Sequence, residues 1–248
     1  MTVEAGNSRE MERVPQIPAP QSWQSQGKKL AKRLLLPLTL ILRRRVIARY
    51  LALESQPKLH VGCGRHLLEG WLNTDLSSLN RRKIVYLDAR QKLPFRDNQF
   101  HFIFNEHFIS TVTLEEAARF VAECYRVLKP GGVLRTATAG LPFLLELLES
   151  RDPRCRDYVR WAADEFLGVP DYSPCLVINN LFYGFGCKFI YDPETLTSML
   201  YRARFSRVVP AKVGESSHPE LRGLEGHGKC IPSEFNELET FILEASKE

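Results

Sequence analysis

Leu59-His60-Val61-Gly62-Cys63-Gly64, followed by Trp71-Leu72-Asn73-Thr74-Asp75, is the stretch on which the reading of this chain turns. A short apolar run leads into two glycines one residue apart, and a second short run ends in a carboxylate. In a parallel α/β sheet the glycines let the backbone turn sharply and come close to a ligand, because they carry no Cβ. A carboxylate at the end of the next strand can accept two hydrogen bonds from a sugar diol. Gly-x-Gly alone occurs in many tight turns, so the flanking sequence has to carry the argument.

From Pro57 onward strand and helix signals alternate, which predicts a parallel sheet. Lys58 to Val61, Trp71 to Thr74, Lys83 to Leu87 (running into Asp88), Phe100 to Phe104 and Val133 to Ala137 read as five strands. Thr113-Leu114-Glu115-Glu116 is a capping box, in which hydroxyl and carboxylate satisfy free backbone N–H groups. The helix it opens places Leu114, Ala118, Val121, Tyr125 and Leu128 on one apolar face, and Lys129-Pro130-Gly131-Gly132 ends it. Leu141 to Glu149 reads as a helix. Asp192-Pro193-Glu194 starts another, running to about Arg204, with Asp as N-cap and Pro in the first turn. Phe205 to Val209 and Glu237 to Ala245 read as strands, the last one antiparallel. Residues 151–186 mix charges, aromatics and prolines without clean periodicity and read as an inserted lid.

The 248 residues suffice for one large domain or two small ones, and 44% hydrophobic residues support a real core. A net charge of +5 is too mild to imply nucleic acid by itself. Cys63, Cys124, Cys155, Cys175, Cys187 and Cys230 are scattered without a C-x-x-C pair, which excludes a zinc knuckle and a dithiol redox motif. They read as free thiols in a reducing cytoplasm. Residues 1–27, polar and proline-rich, read as a flexible tail without a cleavable signal. Residues 28–52 form a basic helical segment around Leu34 to Leu42, a run too short to span a bilayer. Pro37 is expected to kink or start a helix there. Two readings stay open for this segment: a peripheral contact with anionic lipid, or a helix capping the domain that occupies 53–248.

Taken together, Val61-Gly62-Cys63-Gly64, Asn73-Thr74-Asp75, Asp88 with Leu93-Pro94-Phe95-Arg96-Asp97, and Tyr125-Arg126-Val127-Leu128-Lys129-Pro130-Gly131-Gly132 resemble the class I S-adenosylmethionine-dependent methyltransferases. The resemblance runs from about Lys58 to Ala137. It implies an α/β fold with a Rossmann-like, seven-stranded, mostly parallel sheet, helices on both faces and an antiparallel last strand. It implies S-adenosylmethionine as cofactor, with Gly62, Cys63 and Gly64 beneath its methionine part and Asp75, followed by Leu76, on the ribose. Asp88 and Ala89 would face the adenine, and Asn105, Glu106 and His107 would border the methyl group and the acceptor. Asn180-Leu181-Phe182, Phe189-Ile190-Tyr191-Asp192 and the stretch Glu215 to Glu225 resemble one subgroup, which implies a small-molecule or glycan acceptor.

The chain departs from the pattern at His60, where an acidic residue is usual. It departs again at Ser110-Thr111, where the subgroup repeats Glu-His, and at Ala139-Gly140, where it has Pro-Asp. The short step from Gly64 to Asp75 requires a first helix that is brief or missing. His107, whose unperturbed pKa lies near neutrality, is the candidate catalytic base; a helix-start histidine bonded to backbone is the plain alternative. His218 reads as an active-site visitor or a surface turn shaped by Pro219. Tyr172, Tyr183, Tyr191, Phe182 and Phe185 read as an acceptor pocket or as core. Rival functions are a degenerate fold serving as a binding or scaffold protein, a nucleic-acid methyltransferase, and a Rossmann oxidoreductase. The missing base-amine motif and the missing full G-x-G-x-x-G argue against the last two.

Overall fold

A computed structural model describes residues 26–76, 83–149, 152–168 and 172–248. Seven strands form one sheet: β1 (Lys58–Val61), β2 (Leu72–Asp75), β3 (Val85–Tyr86), β4 (Phe100–Glu106), β5 (Leu128–Ala139), β6 (Arg207–Ala211) and β7 (Thr240–Ser246). Seven helices accompany them among the described residues: α1 (Gln26–Leu53), α2 (Leu114–Val127), α3 (Leu141–Glu149), α4 (Pro153–Ala162), α5 (Pro174–Tyr183), α6 (Pro193–Arg202) and α7 (Ser233–Glu239). The strand order is β3-β2-β1-β4-β5-β7-β6. The first five strands are parallel, and β7 runs antiparallel to both β5 and β6. This is the Rossmann-like α/β sheet the sequence implies. The chain steps from β1 outward to β2 and β3, then returns to lay β4 on the other flank of β1. That reversal opens a crevice at the carboxyl ends of β1 and β4.

One face of the sheet buries Leu59, Val61, Ile103 and Leu134 against Val121 and Cys124 of α2, Leu196 and Leu200 of α6 and Ile47 of α1. On the other face Trp71, Phe104, Val133 and Ile242 pack with Leu68, Leu221 and Leu224. A third cluster joins α3, α4, α5 and α7 through Phe143, Leu147, Tyr158, Val159, Leu181 and Phe235. The segment from Gly62 to Gly70 contains no helix, in accord with the short step to Asp75.

Several expected elements shift. The capping box at Thr113 and Glu116 is present, with bonds of 2.9 and 3.2 Å. The buried stripe of α2, however, is Ala117, Phe120, Val121, Cys124 and Val127, while Leu114 and Ala118 are exposed. The buried face is turned by about one residue from the expected one, and it includes Phe120, which packs edge-on against Phe108 at 4.8 Å between centroids. Lys129 to Gly132 do not separate helix from strand. They bulge inside β5, whose register to β4 slips between Phe100 and Phe102. Asn105 and Glu106 are the last residues of β4 rather than the loop after it. The edge strand β3 keeps two residues, since only Val85 and Tyr86 pair with β2. Glu237 to Glu239 belong to α7, and the last strand starts at Thr240. Within 151–186 the described residues are mostly regular helix, α4 and α5, separated after α4 by a wide π turn at Ala163–Leu167.

Residues 1–25 of the expected tail lie outside the described residues. Helix α1 runs through Pro37 without interruption. Its C-terminal part is docked: Ile47 is buried, and the Tyr50 hydroxyl donates to Lys58 O at 2.9 Å while accepting from Lys58 N–H at 2.8 Å. No described helix is long and apolar enough to cross a membrane.

His60, the departure in β1, has a structural use. Its ring is 1% exposed and Nδ1 donates to Asn73 Oδ1 at 3.0 Å, tying β1 to β2. Burial pulls its pKa down from 6.5 to about 4, against the opposing pull of the Asn73 bond. The folded state therefore resists protonation that the unfolded chain accepts below pH 6.5, so stability falls as pH drops from 6.5 toward 4. The expected loss at pH 5 is about 2 kcal/mol from this group. Urea melts at pH 7 and pH 5 check it: His60→Leu should shrink the difference between the two midpoints, and an unchanged difference contradicts the assignment.

Candidate active site

At the reversal between β1 and β4 lies a cavity of about 390 Å³. Val61 and Gly62 reach it from the end of β1, and Asp75 and Leu76 from the end of β2. Leu87, Asp88, Ala89 and Arg90 come from the turn after β3, and Glu106, His107 and Phe108 from the end of β4. Seven of the expected residues thus meet around one space: Gly62, Asp75, Leu76, Asp88, Ala89, Glu106 and His107.

Gly62 is at φ +69°, and a Cβ there would come within 3.0 Å of Phe108 Cβ, so the bare backbone is required. Gly64 does not line the cavity. Its N–H donates to Asp75 Oδ2 at 3.0 Å, so it orients the carboxylate. Cys63 also stays outside the lining. It is buried, its N–H continues the ladder to Thr74 O at 3.0 Å, and burial pushes its thiol up to about 12. All six cysteines are free. Asn105 is fully buried and donates to Thr136 Oγ1 at 2.9 Å, a tie between β4 and β5. Residues alternate sides along a strand, so Asn105 points away from the space that Glu106 reaches. Asp88 pairs with Arg90 through two bonds of 2.8 Å, which hold its carboxyl below the usual carboxylate range.

A second cavity of about 290 Å³ abuts the first, and His107 and Thr111 line both. Its apolar wall holds Tyr158, Trp161, Phe166 and Phe185, and its polar end holds His107, His227 and Glu239. Of the aromatics expected here only Phe185 is in place. Tyr191 is fully buried core, and Tyr172, Phe182 and Tyr183 are exposed. The π turn after α4 brings Phe166 to the wall instead, where it meets Trp161 and Phe185. His218 reaches neither cavity. It precedes the short turn at Pro219–Leu221 and lies 5.7 Å from the Phe102 ring.

The polar end is assembled from distant parts of the chain. Glu106 accepts the N–H groups of Gly226 (2.9 Å) and His227 (3.1 Å), so its carboxylate fixes the turn that carries His227. Burial raises its pKa, against the pull of those two bonds. A Cβ on Gly226 would collide with the His66 ring, which is why the turn passes this point as glycine. His227 Nε2 lies 3.0 Å from Glu239 Oε1, and Tyr158 donates to Glu239 Oε2 at 2.6 Å. Burial opposes a charged His227, but the bond to Glu239 and the nearby carboxylates prevail and raise its pKa. Burial likewise disfavours charge on Glu239, and the bonds from His227 and Tyr158 with the two imidazoles nonetheless lower its pKa.

His107 is not the helix-start residue of the plainer expectation, since the short turn at Ile109–Thr111 begins after Phe108. It sits at φ +55°, a conformation costly for a residue with a Cβ. Its N–H donates to Ala137 O at 2.9 Å, and Ser110 Oγ donates to its carbonyl at 2.9 Å. The ring lies 4.4 Å from that of His227, centroid to centroid, and Nε2 is buried without a hydrogen-bond partner. Burial, helped by His227, lowers its pKa to about 4, so the ring is neutral near pH 7 and offers a lone pair. His227 and Glu239 carry no local signal in sequence, since neither stands at a recognisable spacing from His107.

Residues 59–136 match the family described as methyltransferase domain. An uncharacterized protein of Haemophilus influenzae is 33% identical over 70 residues, 28% of this chain and 28% of that one, so the match spans little more than a quarter of the curated relative. Among solved structures, a SAM-dependent methyltransferase, possible histamine N-methyltransferase, from Thermotoga maritima is 18% identical, covering 89% of this chain and 96% of that one at a TM-score of 0.45. A SAM-dependent methyltransferase from Archaeoglobus fulgidus is 15% identical over 88% and 99% of the two chains, TM-score 0.47.

Proposed function

We propose that this chain is an S-adenosylmethionine-dependent methyltransferase acting on a small, largely apolar acceptor. The observation that carries the reading is the meeting of two cavities at His107 and Thr111, one ringed by Gly62, Asp75 and Asp88 and the other walled by aromatics. The first cavity fits the cofactor: its floor at Gly62 has no room for a Cβ, and Asp75, aimed by Gly64 N–H, can accept from ribose hydroxyls. Leu87, Asp88 and Ala89 would border the purine. When bound, S-adenosylmethionine supplies an electrophilic methyl group on a sulfonium.

The chain's own contribution is placement and the exclusion of water. Tyr158, Trp161, Phe166 and Phe185 hold the acceptor's apolar body, and His107, which lines both cavities, borders the place where methyl group and acceptor would meet. His107 is the catalytic residue of this account. Asparagine tolerates φ > 0 better than most residues, so His107→Asn preserves the backbone and removes the imidazole. It should lower kcat by about 100-fold or more while changing S-adenosylhomocysteine affinity little. The function is tested with methyl-labelled cofactor against a panel of apolar phenols and amines beside a panel of oligosaccharides. Label on the small acceptors supports the proposal. Label on saccharides alone overturns the acceptor class, and label on neither panel supports the degenerate binding-protein reading.

A further inference from the structure

We infer that His107, His227 and Glu239 form a binding site for one divalent transition-metal cation at the floor of the second cavity. Their ligand atoms all lie within 4.8 Å of one another. Glu239 Oε1 is 3.0 Å from His227 Nε2 and 4.0 Å from His107 Nε2. Donors each about 2.1 Å from a shared metal ion stand roughly 3–4 Å apart, depending on the angle between them. Two of the separations already have that value, and a small turn of either imidazole closes the third.

Three further observations point to a ligand. His107 Nε2 is buried with no partner, although a buried polar atom without one is costly. The backbone that aims it is held at φ +55°, and strain of this kind persists where the surroundings over-determine it. Two of the ligand groups are also held in place by neighbours. Tyr158 donates to the far oxygen of Glu239 at 2.6 Å, and Glu106 fixes the His227 backbone through the N–H at 3.1 Å. Two imidazoles and one carboxylate favour zinc, manganese, iron or cobalt over magnesium and calcium, which prefer oxygen donors. Three protein ligands leave coordination positions open toward the second cavity. An acceptor oxygen can occupy one of them, so the acceptor class implied is a molecule with a hydroxyl or carbonyl oxygen at the end of an apolar body. That last step rests on the methyl-transfer reading; the cation site itself does not.

The test is a cobalt(II) titration of the full chain after stripping with a chelator, followed by visible absorption and by metal content. One saturating equivalent is expected, displaced by zinc and insensitive to excess magnesium. Tyr158→Phe should weaken binding about 10-fold or more. His227→Ala and Glu239→Gln, checked by circular dichroism for a native spectrum, should each weaken it at least about 100-fold. The wild-type titration decides even where a variant fails to fold: no saturable cobalt band overturns the site, as does a band unchanged in a folded His227→Ala. S-adenosylhomocysteine binding is measured in parallel. Cofactor binding without cobalt binding sinks this inference alone, and cobalt binding without cofactor binding sinks the methyl-transfer reading alone.

Discussion

Replacing Arg135 by leucine is expected to remove about 3–5 kcal/mol of stability, roughly 6–20 °C in Tm for a chain of this size. Arg135 stands in the middle of the sheet on β5 and is fully buried. Its guanidinium donates to Glu225 at 2.7 Å, to Glu244 at 2.6 Å, and to the carbonyls of Glu215 and Lys212 at 2.9 and 3.1 Å. Glu225 in turn accepts Gly214 N–H at 2.8 Å. Leucine would leave two buried carboxylates facing each other without a cation, and two carbonyls without a donor. The cost comes from those abandoned groups rather than from any net strength of the ion pairs, since a buried pair roughly balances its own desolvation. Hence the informative control is the triple variant Arg135→Leu, Glu225→Leu, Glu244→Met, which should recover much of the lost stability. Thermal melts followed by circular dichroism read both outcomes, and a single variant as stable as the wild type would refute the assignment. Because Glu225 leads directly into Gly226 and His227, the single variant should also loosen the turn that Glu106 holds at the candidate site.

Asp75→Ala is expected to weaken S-adenosylhomocysteine binding by about 100- to 10,000-fold. Each hydrogen bond to a charged carboxylate is worth about 1.5–3 kcal/mol, and the ribose diol would lose two. The same change releases Gly64 N–H from its 3.0 Å bond, freeing the loop that shapes the cavity floor. Asp75→Asn keeps an oxygen for Gly64 but gives up the charge, so a loss near 10-fold is expected. Isothermal titration calorimetry separates the three proteins. Equal affinities in all of them would remove Asp75 from the site.

That Gly62, Asp75 and Asp88 meet at one crevice is legible in the sequence because the signals are local. Gly62 and Asp75 each announce a strand end, and the turn chemistry places both at the carboxyl edge of a parallel sheet. Asn105 falls outside the cavity lining because a strand fixes alternation but not which side faces the crevice, and β4 runs two residues beyond its apolar stretch. Glu237 to Glu239 alternate well enough for a strand over a short window, yet Phe235 and Leu238 pack with residues of α4 and α5, and that segment is helical. Arg135 reads as a strand residue of no special interest. Its carboxylate partners lie 90 and 109 residues away, so no spacing reveals them. His227 and Glu239 escaped for the same reason. The aromatic wall is not legible in the sequence because the wide turn at Ala163–Leu167 brings Phe166 to it, and nothing in the composition marks that turn.

The central claim is that the crevice at the reversal between β1 and β4 seats an adenosyl nucleoside with its sulfur toward His107. A crystal structure with S-adenosylhomocysteine tests it in one measurement. The account predicts the ribose hydroxyls on Asp75, the purine beside Leu87 to Ala89 and the sulfur near His107, facing the aromatic cavity. A nucleoside seated elsewhere, or a crevice that stays closed at saturating ligand, would contradict it.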